Sequence, residues 1–161
     1  MKAIARPATL ADVPALCAIQ AQIILIGGTT AHEHPFAEPV FAERYLTGAG
    51  VICCHAATVE GRPVGFQVVT LNPALPAGWA DIGTFVDPRV QRSGAGQALF
   101  AATRAAARQA GIATLNATIR SDNAPGLGYY GGLGFRDYAG EPGYALKSGR
   151  IVGRVHRRFD L

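Results

Sequence analysis

The sequence predicts a single α/β domain with a mixed sheet and helices on both of its faces. The chain has 161 residues, which is the usual size of one domain, and its 49% hydrophobic and 16% charged residues provide enough apolar side chain for a sizeable core. Three consecutive β-rich segments lie between residues 51 and 86. A helical pattern at 94–110 then joins the third of them to a strand at 114–120, and such a crossover requires parallel pairing.

The first 27 residues predict a strand and a helix. Residues 2–6 are a strand candidate that ends at Pro7. Thr9 is suited to the N-cap of the helix, with Asp12 three residues later in its first turn. The apolar positions then recur at helical spacing as far as Gly27 and include Val13, Leu16, Ile19, Ile23 and Ile26.

A loop and a short helix follow the first helix. Residues 29–37 have no hydrophobic period and contain two histidines and a glutamate, which predicts a loop. Residues 38–46 predict a short helix that Gly48 and Gly50 end.

The middle of the chain predicts an antiparallel meander. Residues 51–59 and 64–71 form a hairpin, because residues 60–63 are Glu-Gly-Arg-Pro, a sequence typical of turns. Residues 79–86 predict the third strand, which Asp87-Pro88 ends.

The second half predicts alternating helices and strands. A helix ends at Gly111, the strand 114–120 follows, and a weak helix spans 123–132. Two further strands start near Gly134-Phe135 and Arg150. The apolar stripe predicted for the 94–110 helix is Ala95, Ala98, Leu99, Ala102 and Ala106.

The net charge of +4 is concentrated at the end of the chain, where residues 150–161 carry four arginines against one aspartate. A basic tail can bind nucleic acid, but here Ile151, Val155 and Phe159 interleave with the arginines as in a strand. We therefore expect a solvated strand face or a phosphate-facing edge and no nucleic-acid partner.

Several function classes are disfavoured by composition. The longest aliphatic run, residues 23–26, is far below the roughly 18 residues that cross a bilayer, and the N-terminal residues lack a signal-peptide pattern, so we expect a cytoplasmic protein without a membrane partner. The three cysteines lack metal-ligand spacing and predict buried, reduced thiols, with the adjacent Cys53 and Cys54 on opposite faces of a strand. The four histidines lack the spacing of a helical zinc motif, so no metal is expected.

A glycine-rich turn lies between the third strand of the meander and the following helix. It reads Gln-Arg-Ser-Gly-Ala-Gly over residues 91–96. The missing Cβ atoms of Gly94 and Gly96 let backbone N–H groups approach an anion at the positive end of the helix, and Arg89 and Arg92 add donors suited to a pyrophosphate. The turn lacks the lysine of a P-loop and the third glycine of a dinucleotide fingerprint. The alternative is a tight turn that merely permits close helix packing.

The turn resembles the acetyl-coenzyme A (acetyl-CoA) motif of the GNAT N-acetyltransferases, Gln/Arg-x-x-Gly-x-Gly/Ala, preceded here by Val86. A second segment, with Asn123, Tyr130 and Gly134-Phe135, is similar to that family's Asn-(x6)-Tyr-(x3)-Gly-Phe. The resemblance covers about residues 2–160 and implies one N-acetyltransferase domain over residues 1–161. Within the family, the layout is most similar to the phosphinothricin and methionine sulfoximine acetyltransferase group.

The resemblance implies that acetyl-CoA is the cosubstrate and that its acetyl group passes directly to a primary amine. The acceptor is expected to be a small molecule, such as an amino acid or an analogue like phosphinothricin or methionine sulfoximine. Two alternatives stay open: a protein or peptide N-acetyltransferase, and a non-catalytic acyl-CoA sensor. The family similarity and the apolar last strands also favour a homodimer.

The resemblance further assigns binding residues. Acetyl-CoA is expected to contact residues of both motifs: Phe85, Val86, Gln91, Arg92, Ser93, Gly94, Ala95, Gly96, Asn123 and Tyr130. The acceptor is expected to contact the 29–37 loop and its surroundings through Thr30, Glu33, His34 and Phe36.

Acetyl transfer also requires a base, because an amine of pKa about 10.4 is less than about 0.1% neutral at pH 7. Asp81, on the strand that leads to Val86, is the first candidate for the general base. Residues His32, Glu33 and His34 are its rivals.

The two remaining requirements concern the oxyanion and the leaving thiolate. A backbone N–H near Phe85 or Val86 is expected to stabilise the oxyanion. Tyr130 is neutral at pH 7 and is the candidate acid that protonates the thiolate, and Tyr129 is the alternative if the helix register differs by one residue.

Overall fold

The computed structural model describes residues 1–90 and 92–161. Within them, seven strands form one sheet of order β1-β2-β3-β4-β5-β7-β6. Neighbouring strands run antiparallel except β4 and β5, which are parallel, so the predicted mixed sheet is confirmed. The strands are β1 (Ile4–Pro7), β2 (Val51–Val59), β3 (Arg62–Thr70), β4 (Trp79–Val86), β5 (Thr114–Arg120), β6 (Arg136–Ala145) and β7 (Ile151–Asp160).

Helices cover both faces of this sheet. A single 3-10 turn (Leu10–Asp12) leads into the first helix, and the second helix continues into one π-helical turn (Glu43–Thr47). The predicted strand–helix–strand crossover is confirmed, since the third helix joins the parallel pair β4 and β5. The helices are α1 (Val13–Ile26), α2 (Glu38–Ala42), α3 (Ala95–Gln109) and α4 (Ala124–Leu133).

The core is divided between the two faces because successive side chains of a strand point to opposite sides. On β3, Val68 packs with α1 and α2, whereas Val69 packs with α3 and α4. On β2, Cys54 packs on the side of α1 and α2 and Cys53 on the side of α3 and α4, as predicted for adjacent cysteines of a strand. All three cysteines are free thiols, and Cys53 and Cys54 are half-buried rather than fully buried.

The predicted helix faces need correction at two places. Ile26 is 64% exposed, while Ile24 is buried, because four consecutive aliphatic residues fit any helix face and the sequence pattern could not choose among them. In α3, the predicted positions Ala98, Ala102 and Ala106 are only half-buried. The sheet instead covers Phe100, Thr103 and Ala107, since a helix so rich in alanine has a weak apolar period.

The start of α1 is fixed by the predicted capping residues. Thr9 and Asp12 form a capping box, and the buried Asp12 carboxylate also accepts two hydrogen bonds from Arg6, at 2.7 and 2.8 Å. These donors lower the pKa of Asp12 to about 2. The entry of α1 is therefore tied to β1.

The arginines of the last strand are largely paired with carboxylates. Arg154 binds Glu141, Arg157 binds Asp137 and Arg158 binds Asp160. Their positive charge is thus partly compensated within the sheet. No helix of the described residues is both long and apolar enough to cross a membrane.

An opening in the sheet positions the functional site. In the parallel pair, residues Trp79–Asp81 of β4 pair with Thr114–Asn116 of β5, and the pairing ends there. The rest of β5 continues to pair with β7 as far as Arg120. Residues 82–86 and 117–120 therefore form the two sides of a cleft that starts immediately after Asp81.

Candidate active site

Two cavities meet at the cleft between β4 and β5. The turn cavity, about 910 Å³, extends along the glycine-rich turn, the end of β4 and the start of α4. The strand cavity, about 1050 Å³, is walled by α2 and its π-helical turn and by β4, β5, β6 and β7. Seven residues line both cavities and mark the junction: His32, Arg44, Ile82, Gly83, Phe85, Thr118 and Arg154.

The glycine-rich turn presents backbone donors to the turn cavity. Gly94 caps α3 in the left-handed conformation, with φ of 75°, which a glycine adopts without steric cost. The first intrahelical hydrogen bond runs from the Ala98 N–H to the Gly94 carbonyl, so the N–H groups of residues 95–97 precede it. Ser93 Oγ accepts the Ala95 N–H at 3.4 Å. The remaining donors lie at the positive end of the helix and can bind an anion.

Gly96 serves packing as well as backbone access. A Cβ atom there would lie 2.6 Å from the ring of Tyr129, whose hydroxyl donates to the Gly96 carbonyl at 2.8 Å. The two interpretations of the turn, anion binding and close helix packing, are therefore compatible, because Gly94 supplies the left-handed residue and Gly96 permits the close approach of α4.

Of the cationic residues near the turn, Arg92 is exposed and lines the turn cavity. Arg89 instead forms two hydrogen bonds with the carboxylate of Asp87, at 2.8 and 3.0 Å, and does not line the cavity. Gln91, predicted to bind acetyl-CoA, lies outside the described residues.

Asn123 begins α4 and connects it to the 29–37 loop. Its Oδ1 accepts the N–H of Gly126 at 3.0 Å, and its Nδ2 donates to the Thr29 carbonyl at 3.2 Å. Arg120 donates to the carbonyl of Thr30 at 3.2 Å. Thr30, predicted to bind the acceptor, thereby becomes part of the wall of the turn cavity.

Tyr130 lies at the inner end of the turn cavity. Its hydroxyl is 2.8 Å from the hydroxyl of Thr84, which also accepts a hydrogen bond from Gln67 at 2.8 Å. The ring is 7% exposed and packs against Tyr129 and Phe135, with centroids 5.0 Å apart in each case. Burial raises the pKa of Tyr130, so its phenol stays protonated around neutral pH.

The direction of the β4 backbone selects which N–H groups face the cleft. The N–H of Asp87 donates to the Val64 carbonyl, and N–H groups of an antiparallel strand alternate between its two sides. The N–H of Phe85 therefore points toward β3, while those of Thr84 and Val86 point to the cleft. Of the two predicted oxyanion donors, the geometry favours Val86.

Asp81 lies at the start of the cleft and lines the strand cavity. Its two carboxylate oxygens accept hydrogen bonds from Asn116 at 2.7 Å and from Asn72 at 2.8 Å. Asn116 in turn accepts a hydrogen bond from Tyr138 at 2.6 Å. The carboxylate is held in one orientation and keeps lone pairs for a further donor, such as an ammonium group.

Of the loop residues that were predicted as rival bases, only His32 lines the cavities. Glu33 accepts the backbone N–H of Ser148 at 2.8 Å, His34 is exposed, and Phe36 stacks on Tyr45; none of these three lines either cavity. His32 lines both, and its pKa is lowered by burial and by nearby cations. The loop therefore contacts the junction through His32 rather than through Glu33 or His34.

Apart from Asp81 and His32, the polar wall of the strand cavity was not predicted from the sequence. Its side chains come from the π-helical turn after α2 and from β5, β6 and β7. They are Glu43, Arg44, Asn116, Thr118, Tyr138, Glu141, Arg154 and His156. The only sequence signal was the alternation of polar residues along β5 and β7, which is common to many exposed strands.

The chain belongs to the acetyltransferase (GNAT) family, because the model of that family matches residues 22–135. A relative from Saccharomonospora viridis, a mycothiol acetyltransferase, is 35% identical over 99 residues. That match covers 58% of this chain and 32% of the relative, so the chain spans about a third of the relative's length.

Solved structures share the fold over nearly the whole chain. A phosphinothricin acetyltransferase from Sinorhizobium meliloti, in complex with acetyl-CoA, is 23% identical and has a TM-score of 0.88, covering 100% of this chain and 89% of that one. A ribosomal-protein-alanine N-acetyltransferase from Brucella melitensis is 22% identical with a TM-score of 0.85, covering 98% and 99%. The predicted fold and its likeness to the phosphinothricin acetyltransferase group are confirmed.

Proposed function

We propose that the protein is an N-acetyltransferase that moves an acetyl group from acetyl-CoA to a primary amine of a small molecule. The observation that carries this proposal is the meeting of the two cavities in the cleft between β4 and β5. One cavity presents Tyr130 and the donors of the glycine-rich turn, and the other presents Asp81. A thioester entering from one side and an amine entering from the other would meet at the junction.

The turn cavity fits acetyl-CoA. The backbone N–H groups at the start of α3 and the exposed Arg92 suit the charge of a pyrophosphate. Asn123 lies farther along the same wall, toward Tyr130. We infer that the pyrophosphate binds at residues 92–96 and that the thioester end lies near Tyr130 and Thr84. Acetyl-CoA supplies the activated acetyl group, and the protein supplies its position.

Three groups of the chain would act on the reaction. The Asp81 carboxylate receives the acceptor as an ammonium and favours its deprotonation. The Val86 N–H, which faces the cleft, stabilises negative charge on the carbonyl oxygen. Tyr130 donates its phenolic proton to the departing thiolate, because burial keeps the phenol protonated.

The charges of the strand cavity favour an acceptor with both an amine and a carboxylate. Glu141 and Arg154 pair with each other, which leaves Asp81 and Glu43 as anionic groups and Arg44 as a cationic one in this wall. The Arg44 guanidinium lies over the rings of Phe36 and Tyr45, at 5.3 and 5.9 Å from their centroids. A guanidinium fork in this position suits a carboxylate. We therefore propose an amino acid or an amino-acid analogue as the acceptor class.

The test is release of coenzyme A thiol from acetyl-CoA with a panel of amines. The panel contains amino acids, phosphinothricin, methionine sulfoximine, polyamines, aminoglycosides and short peptides. Rapid turnover with amino acids or their analogues supports the proposal. Turnover with peptides alone would favour the protein N-acetyltransferase alternative, and acetyl-CoA binding without turnover would favour a sensor. The single domain, the cytoplasmic location and the homodimer stay predictions.

A further inference from the structure

A short run of hydrogen bonds crosses β5, β7 and β6 beside the cleft. Thr118 Oγ1 lies 2.9 Å from His156 Nδ1, and His156 Nε2 lies 2.7 Å from Glu141 Oε1. Thr118 and His156 are paired residues of β5 and β7, so their side chains lie on the same face of the sheet. None of the three residues has a role in the mechanism described above.

The partners of these residues fix the direction of the hydrogen bonds. Arg154 donates to both oxygens of Glu141, at 2.9 and 3.0 Å, and the hydrogen bonds from His156 and from Arg154 lower the pKa of Glu141. An ionised carboxylate only accepts, so His156 Nε2 must carry a hydrogen. In the neutral imidazole Nδ1 is then an acceptor, and Thr118 must donate to it.

Asn116 completes this arrangement. Its Nδ2 donates to Thr118 Oγ1 at 3.1 Å, which occupies one lone pair of the hydroxyl and leaves the other free. Thr118 can therefore accept a proton from a bound molecule while it passes its own proton to His156. The orientation matches that of a hydroxyl–imidazole–carboxylate triad, with the two ring nitrogens exchanged.

The location of Thr118 supports a role in the reaction. Thr118 lies two residues beyond the last β4–β5 pair and lines both cavities, whereas His156 and Glu141 line the strand cavity. The imidazole of His156 is only 16% exposed. The hydroxyl is thus the part of the triad nearest to the junction where the amine and the thioester meet.

We propose that Thr118, His156 and Glu141 form a proton relay that removes the proton released when the acceptor nitrogen becomes acetylated. This inference rests on the acetyl transfer proposed above. An ammonium must lose two protons to become an amide; Asp81 accepts the first one before attack and gives it to water when the product leaves. The relay serves the second.

The bonds and protons of this step balance. As the C–N bond forms and the C–S bond breaks, the nitrogen gives its proton to Thr118 Oγ1, and the former hydroxyl proton moves to His156 Nδ1. Tyr130 protonates the thiolate. The imidazolium, stabilised by Glu141, then loses its proton to water, and Tyr130 regains one from water.

Other charged groups surround the relay. Arg154 pairs with Glu141, which also contacts His156, and Asp81 is linked to Thr118 through Asn116. Further charged or titratable side chains line the strand cavity or lie on the same strand. They are His32, Glu43, Arg44, Tyr45, Tyr138, Arg157, Arg158 and Asp160.

Kinetics of the full-length protein test the relay with the best acceptor of the amine panel. Thr118→Val and His156→Gln should each lower kcat about 100-fold, with KM for acetyl-CoA unchanged, because they remove a proton acceptor and not a cofactor contact. The double variant should fall no further than either single variant, since the residues act as a unit. Thr118→Ser should restore most of the activity.

Thr114→Val is the matched control, because this hydroxyl is also on β5 but bonds to Asp160 outside both cavities. It should keep kcat. Unchanged kcat in Thr118→Val or His156→Gln, additive losses in the double variant, or a Thr118→Ser variant no better than Thr118→Val would overturn the relay while leaving the transferase intact. Absence of turnover by the unaltered protein with every amine would overturn the proposed function instead.

Nitrogen-15 NMR of the imidazoles tests the geometry without turnover. His156 should show the tautomer with hydrogen on Nε2, as its hydrogen bond to the Glu141 carboxylate requires. A hydrogen on Nδ1 would contradict the relay whichever amine is the acceptor.

Discussion

The hydroxyl of Tyr130 lies 2.8 Å from the hydroxyl of Thr84, so α4 and β4 are joined by a hydrogen bond at the inner end of the turn cavity. Thr84 can serve as acceptor or donor in this pair. Because Gln67 already donates to Thr84, the phenol can give up its proton elsewhere while Thr84 keeps a partner. The hydrogen bond with Thr84 therefore keeps the Tyr130 hydroxyl, the proposed acid, in position when no thiolate is present.

Tyr130→Phe should lower kcat about 100-fold or more and leave the affinity for acetyl-CoA nearly unchanged. The ring remains to fill the core, and Gln67 still satisfies Thr84. Thiol release measures kcat, and calorimetry measures the affinity. Unchanged turnover would remove Tyr130 from the role of acid.

Tyr129→Phe is the companion variant, because the two tyrosines are adjacent and differ in their partners. Tyr129 donates to the Gly96 carbonyl and accepts from Gln67, and its pKa is raised to about 12, mainly by burial. Loss of this hydroxyl should reduce stability by about 1 kcal/mol rather than abolish turnover. A larger loss of kcat in Tyr129→Phe than in Tyr130→Phe would assign the acid role to Tyr129.

The cofactor side of the site could be predicted from the sequence because local backbone geometry determines it. Gly94 ends a turn in the left-handed conformation, Asn123 caps α4, and Tyr130 follows at a fixed distance within the same helix. Each of these features is determined by residues within one turn or one helix. A sequence motif therefore predicts these features directly.

The acceptor side could not be predicted because three separate strands form it. Thr118, Glu141 and His156 are brought together by the register of β5, β7 and β6, and β6 is irregular between Asp137 and Ala139 and again between Glu141 and Tyr144. Each irregularity changes which face a side chain takes. No pattern along the chain reports that change, so Asp81 was predicted and its neighbours were not.

Gly96→Ala should weaken both stability and acetyl-CoA binding. The new Cβ would lie 2.6 Å from the Tyr129 ring, so the ring or the start of α3 must move, at a cost of about 1–3 kcal/mol. Urea unfolding and calorimetric titration with acetyl-CoA measure the two effects. Gly132→Ala is the control, because no atom lies within 4 Å of its Cβ position in α4. It should stabilise the protein by about 0.5–1 kcal/mol, and similar losses in both variants would contradict the packing argument.

Arg44→Gln should raise KM for an acceptor that carries a carboxylate by about tenfold or more, since it removes a charge-assisted donor. An amine of the same skeleton without the carboxylate should show no change. Arg108→Gln, an exposed substitution in the last turn of α3, controls for net charge. If both acceptors lose affinity equally in Arg44→Gln, then Arg44 shapes the junction and does not recognise the acceptor carboxylate.

Acidification should destabilise the protein through His55 before the carboxylates titrate. His55 is 7% exposed on β2, with Nδ1 3.4 Å from the hydroxyl of Thr103 in α3, and burial lowers its pKa from the ordinary 6.5.

The unfolded chain therefore binds a proton that the folded chain excludes. Stability is complete above about pH 6.5 and decreases as the pH falls toward the folded-state pKa of His55. Urea unfolding at pH 8 and pH 5 should show this loss, and His55→Gln should reduce it. Since the pKa of His32 is also lowered, the proteins with and without the His55→Gln substitution are compared in a His32→Gln background. An equal loss with and without His55 would assign the acid sensitivity to other groups.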